Sequence, residues 1–180
     1  MTASFFKRAW RRFKLTPAER AQSRGFDAHF AYQRKHGFPH MGTKFEKHLG
    51  YPLNLENPQS FNEKLAHQRL LGRDPIWTTV TDKVAVRDWL VAEDLLRAAK
   101  LVPAVGIYDD VGALLAADLP DRFIAKAAWA SSRHVIVTDL PVQRAELAEQ
   151  AHSWMAEYPN FGVANLVWPA QHIPPRIIVE

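Results

Sequence analysis

The apolar residues of this chain fall into helical stripes over the first half and into short strand-like runs over the second. Over residues 3–15, Phe5, Phe6, Ala9, Trp10 and Phe13 share one face at about 100° per residue, and Lys7, Arg8, Arg11, Arg12 and Lys14 cover the other. A second helix is predicted from Thr16-Pro17-Ala18-Glu19. Thr16 caps it, Pro17 suits the first helical position and Glu19 completes a capping box. It runs to about Lys35 and stops at Gly37, with Gly25 its weak point. The glycines and prolines of residues 37–59 predict a loop-rich connection with one helical turn near Phe45–Leu49. Ser60-Phe61-Asn62-Glu63 is another capping box and opens a helix through about Leu71. A further helix is expected to begin at Thr81-Asp82 and to bury Val84, Ala85, Trp89 and Leu90. Leu101 to Tyr108 reads as a strand with Pro103 near an edge, and Asp109 to Ala117 as a short helix. Strands are predicted at 122–127 and 134–138, then a helix from Pro141 to Glu157, an irregular proline-rich stretch over 159–175, and a last strand at 176–180.

Composition narrows the picture. With 180 residues, of which 47% are apolar, the chain can bury one real core and carry an extra helical arm. The absence of cysteine excludes disulfides and thiolate metal sites and suits a cytoplasmic protein. No apolar run approaches the ~18–20 residues that span a bilayer, and basic residues interrupt any signal-like core at the N-terminus. The formal charge of +4 is concentrated in the first residues, which points to a local anionic partner. The 3–15 helix has two open readings: peripheral contact with anionic lipid on the inner face of the membrane, or an arm packing its Phe/Trp face on the domain. No recognised nucleic-acid motif accompanies it, so no nucleic-acid partner is expected. The eight histidines are scattered, so no histidine metal site is expected. Asp109-Asp110 suits a helix start, and Ser131-Ser132 lacks a nucleophile-elbow motif.

The chemistry-bearing stretch is Arg122-Phe123-Ile124-Ala125-Lys126, a short loop, and His134-Val135-Ile136-Val137-Thr138, read with the terminal Arg176-Ile177-Ile178-Val179-Glu180. A strand–turn–strand loop with small residues can turn backbone N–H groups toward phosphate oxygens, and a lysine at its base adds charge. By themselves these residues also describe an ordinary hairpin with a solvent-facing lysine, the commoner meaning of a lysine beside a strand.

From Asn57 to Glu180 the ordered blocks resemble the TupA-like ATP-grasp family of bacterial teichuronopeptide and surface-polysaccharide synthesis. They are Ser60-Phe61-Asn62-Glu63-Lys64-Leu65, Arg73-Asp74-Pro75, Thr81-Asp82-Lys83-Val84-Ala85-Val86-Arg87, Leu101-Val102-Pro103, Leu119-Pro120-Asp121-Arg122-Phe123-Ile124-Ala125-Lys126, Trp168-Pro169 and Pro175-Arg176-Ile177-Ile178-Val179-Glu180. The resemblance implies an α+β fold: a helical arm and connection over 1–56, then an ATP-grasp-like nucleotide-binding subdomain over 57–180, a small antiparallel sheet with helices. It implies ATP with magnesium as cofactor and a polysaccharide or lipid-linked precursor as partner. The family chemistry is carboxylate–amine ligation through an acyl-phosphate, with a glycosyltransferase-like role in the same pathway as a further expectation. Lys83 and Lys126 would contact the phosphates, Ser131 and Ser132 would close over the triphosphate, and Glu180 would meet the adenine. Arg87, Arg133 and Arg176 would bind anions, or pair with carboxylates.

Two departures from the family pattern shape the expectation. Its glycine-rich loop is here Trp129-Ala130-Ser131-Ser132-Arg133, which restricts positive φ and close backbone approach to phosphate. The acidic and amide residues that would hold magnesium follow the hinge in the family, so the second ATP-grasp half is read as absent and catalysis is expected to be lost. Apolar surface around Trp168, Ile173 and Ile177 is then expected to be partly exposed.

Overall fold

A computed structural model describes residues 17–97 and 100–180; the amphipathic stretch 3–15 and the Thr16 cap lie outside the described residues. Helix α1 (Pro17–Lys35) gives way to Gly37, whose φ of 71° turns the chain. The expected loop after it is largely helical: α2 spans Pro39–Leu49. Pro39 and Gly50 bound the helix, and Gly42 is carried inside it. Pro39 sits in the first turn, where its missing N–H is no loss, and Gly50 forms a left-handed C-cap at φ 78° with its N–H on the Glu46 carbonyl. Helix α3 (Phe61–Leu71) opens on the predicted capping box. Ser60 Oγ accepts from the Glu63 N–H at 3.2 Å, and the Glu63 carboxylate accepts from the N–H groups of Ser60 (2.8 Å) and Gln59 (2.9 Å). These bonds, the Ser60 N–H first, hold the Glu63 carboxyl below its ordinary pKa.

The next segment departs from expectation. A short helix α4 (Ile76–Thr81) ends where one was expected to begin, and α5 spans Ala85–Ala92. Of its expected core positions Val84 is buried, while Ala85, Trp89 and Leu90 are half-buried. A 3-10 turn covers Leu95–Arg97.

The sheet is built from β1 (Gly106–Tyr108), β2 (Phe123–Ala127), β3 (His134–Val137) and β4 (Ile177–Val179), in the order β1-β4-β2-β3 with every neighbour antiparallel. The coarse α+β expectation, a small antiparallel sheet with helices, therefore holds. The first strand is shorter than the predicted 101–108; Val105 is the first of its residues to bond β4, donating to the Val179 carbonyl at 2.8 Å. Helix α6 (Val111–Ala116) starts under an Asp110 cap. Helix α7 runs from Leu140 to Asn165, past the expected stop at Glu157 and through Pro159. Its buried positions Leu147, Ala151, Trp154, Tyr158 and Gly162 keep helical spacing beyond that point, and such burial offsets the ~3 kcal/mol an interior proline costs. A 3-10 turn (Trp168–His172) then leads to β4. Ile173 and Ile177 are fully buried and Trp168 half-buried, so the expected exposed apolar surface there is corrected: the turn folds back against α7 and β4 is an inner strand.

Register sorts the sheet's two faces. Phe123, Ala125 and Ala127 of β2 face one side with their partners Val137, Val135, Val179 and Ile177, and this side packs under Leu147, Ala151 and Trp154 of α7. Ile124, Lys126, His134, Ile136 and Ile178 face the other side. A second core joins Phe26, Phe38, Leu70 and Leu166, with Phe30 and Trp168 against them. The Arg73 guanidinium lies 4.6 Å over the Phe30 ring and 5.6 Å from that of Trp168, which ties the helical arm to the turn that follows α7. Among the described residues no helix is long and apolar enough to cross a membrane.

Candidate functional site

The β2–β4 ladder continues one residue past β4. Ile124 N–H donates to the Glu180 carbonyl at 2.8 Å, and Glu180 N–H donates to the Ile124 carbonyl at 3.0 Å. Residues directly opposite share a face, so Glu180 lies on the outer face with Ile124. Lys126, two residues along β2, is its diagonal neighbour. The Glu180 carboxylate, 9% exposed, takes an ion pair from Lys126 on Oε2 and one from Arg87 on Oε1 at 2.8 Å. Arg87 also donates to the Val102 carbonyl, so the chain just before β1 is tied to the same carboxylate.

Above this face opens a cleft of about 580 Å³. Lys83, Arg87, Lys126, Ser132, Arg133 and Glu180 all line it, together with Lys100. Val86, Leu101 and Ile124 supply an apolar wall. Five cations against one carboxylate make it a field for anions. The cations are not equally available. Lys83 Nζ donates to the carbonyls of Ala127 (2.8 Å) and Ala130 (2.5 Å), and its own N–H donates to the Ala128 carbonyl at 3.2 Å. Two of its three ammonium donors thus fasten the β2–β3 loop. Burial, and then the neighbouring Lys126 ammonium, push the Lys83 pKa below its ordinary value, against the pull of Asp82 and Glu180. Arg133 forks onto Glu157 of α7 through Nε (2.6 Å) and Nη2 (2.7 Å), and this pairing raises its own pKa and lowers that of Glu157.

Two expected site residues lie elsewhere. Arg176 pairs with Asp82 at 2.6 Å, and its carbonyl accepts from Ala128 N–H at 2.8 Å, so it is a strut beneath the loop and does not line the cleft. Asp82, 4% exposed at its side chain, also caps the Val84 N–H at 2.8 Å. Ser131 is exposed and lines a neighbouring cavity instead. Ser132 holds φ at 59°, a left-handed conformation in the loop where the family pattern carries glycine. Trp129, a loop residue by sequence, is 2% exposed and meets the Tyr158 ring edge-on at 5.1 Å. The apolar run Ala127-Ala128-Trp129-Ala130 was the signal for that burial. Nothing in the sequence marks Glu157 as the partner of Arg133.

No family model, curated protein or solved structure matches the chain. The cleft sets an apolar wall of Val86, Leu101 and Ile124 beside clustered cations. Among the described residues no group of three or more His, Cys, Asp or Glu side chains is placed to hold a metal ion.

Proposed function

We propose that this chain is an ATP-grasp-like nucleotide-binding protein, with the phosphates of ATP among Lys126, Lys83 and Arg87 and the base toward Glu180 and the Ile124 wall. The observation that carries the reading is convergence. Residues named from separate sequence blocks, Lys83 and Arg87 before α5 or within it, Lys126 in β2, Ser132 and Arg133 in the loop and Glu180 after β4, line one cleft. The biological setting that the resemblance implies is synthesis of surface polysaccharide, by carboxylate–amine ligation on a polysaccharide or lipid-linked precursor.

A second reading, a nucleotide- or anion-binding module without turnover, is favoured by the same geometry. Glu180 already neutralises Lys126 and Arg87, Lys83 is engaged with loop carbonyls, and Arg133 is paired with Glu157. Calorimetric titration with ATP, with and without magnesium, and a phosphate-release assay separate the two. The expected result is weak binding that Lys126→Ala removes, with no release of phosphate. Sustained turnover lost in Lys126→Ala returns the protein to the ligase reading, and transfer from a nucleotide sugar to the glycosyltransferase-like one. ATP binding unaffected by Lys126→Ala sinks both cleft readings.

A further inference from the structure

The outer face of the sheet, which floors the cleft, differs on the two sides of Lys126. On the β4 side the ammonium meets the Glu180 carboxylate. On the β3 side the residue directly opposite is His134. The main-chain groups of Ile124 bond Glu180, so those of Lys126, two residues on, turn the same way, toward β4. The Lys126–His134 pair is therefore of the close, non-hydrogen-bonded kind, with Cα atoms about 4.5 Å apart and side chains on one face. His134 is exposed and lines the cleft, and β3 is the sheet's last strand, so no further strand covers it.

The groups on this side are also the ones still available. Arg87 is held by Glu180 and the Val102 carbonyl, Lys83 by two loop carbonyls and Arg133 by Glu157. Lys126 spends one of its three donors on Glu180 and keeps two. Among the described residues nothing hydrogen-bonds or ion-pairs the His134 ring. Of the groups that line the cleft, His134 is the one imidazole and Glu180 the one carboxylate; Lys83, Arg87, Lys100, Lys126 and Arg133 supply the rest of its charge. Glu180 sits across Lys126 from His134, so no lining carboxylate stands in the gap between the two.

An imidazole gains its proton as pH falls from about 8 to 5. A charged ring opposite a lysine makes a like-charge pair, and an anion seated between them bridges it. A phosphate oxygen there accepts from the spare ammonium donors and from the ring, and the bond from a charged ring is the stronger. Anion and proton then favour each other reciprocally.

We propose that His134 is a proton-linked phosphate contact: the phosphate nearest the β2–β3 loop sits between Lys126 and His134, and its binding draws a proton from solvent onto the imidazole. The assignment rests on the cleft being an anion site and does not need the base to lie toward Glu180.

Sulfate is the probe, because it keeps both charges over the range in which phosphate itself titrates. The full chain is titrated with sulfate at pH 8 and at pH 6, at constant ionic strength, and followed by NMR at the Lys126 amide and the His134 ring C–H. The ring signals are assigned by their loss in His134→Gln. The parent is expected to bind sulfate about fivefold tighter at pH 6 than at pH 8. His134→Gln is expected to lose that dependence. His134→Arg, whose charge is fixed, is expected to bind at pH 8 as tightly as at pH 6. Both substitutions fall on an exposed side chain. Lys126→Ala is expected to weaken sulfate at both pH values. Equal affinity of the parent at the two pH values overturns the assignment, as does a pH dependence that His134→Gln retains, or an absence of sulfate binding. ATP binding that Lys126→Ala removes, found beside any of these, leaves the nucleotide reading standing. Sulfate binding linked to pH through His134, in a chain that takes up no ATP, keeps this assignment and removes the nucleotide.

Discussion

The two faces of the sheet are made by the same strands and do different work. In β2, Phe123, Ala125 and Ala127 point under α7, while Ile124 and Lys126 between them point into the cleft. The inner face is apolar throughout, and its small alanines share one buried core with Trp154 and Leu147 of α7. The outer face carries an ammonium and a carboxylate that meet across adjacent strands. A strand whose alternate positions obey different demands separates stability from binding at the level of single residues, and this separation can be tested.

The largest effect is expected on the inner face. Trp154, 2% exposed, is in the centre of the sheet–helix core, and Trp154→Ala is expected to cost about 3–5 kcal/mol in denaturant unfolding. Lys126→Ala, one face away, is expected to cost about 1 kcal/mol. Similar losses for the two variants break the comparison, because they make the outer face structural.

Glu180→Gln probes the outer face more finely. It leaves Lys126 and Arg87 without their shared carboxylate, and the expected cost is about 1–2 kcal/mol. Pyrophosphate binding, followed by calorimetry, is expected to tighten several-fold as the cations are released. If Glu180 also meets the base, ATP gains less than pyrophosphate does. Weaker pyrophosphate binding in Glu180→Gln shows that the carboxylate organises the cations rather than masking them.

The smallest effect is a pH dependence. Lys83 has a folded-state pKa below its ordinary 10.5. Between that folded value and 10.5 the unfolded chain binds more protons than the folded one, so this group's contribution to stability rises with pH across the window. Urea unfolding from pH 8 to 10.5 is expected to show a shallower upward trend, or a steeper fall, in Lys83→Met than in the parent. Parallel curves remove Lys83 from the account.

How much of this was legible in the sequence depended on whether the decisive contacts were local. The Ser60–Glu63 box and strands β2 and β3 were, since a cap and an alternating strand are short-range patterns. Helix α2 is hidden in the sequence because Pro39, Gly42 and Gly50 are residue types that break helices, whereas their positions make one a start, one an interior residue and one a stop. Helix α4 was missed because its β-branched residues favour strands, and tertiary packing against α5 and the Trp168–His172 turn overrides that preference. Helix α7 outruns the expected stop at Glu157 because Pro159 is a poor marker of its end, and Leu147, Ala151, Trp154 and Tyr158 carry the helical spacing onward. In the cleft, the lysines and Glu180 could be named from their blocks. Their mutual neutralisation could not, nor could the Asp82–Arg176 pair, because each joins residues more than fifty positions apart in sequence.

Trp129 has a consequence for the thermodynamics of any ligand in the first cleft. With its indole in the core and Lys83 holding the carbonyls on either side of it, the β2–β3 loop has given up most of its freedom before a ligand arrives. A loop ordered in advance adds little entropic penalty on association. Entry into the cleft is then governed by diffusion and by the field of its cations, and its rate should fall with ionic strength rather than wait on a closing motion.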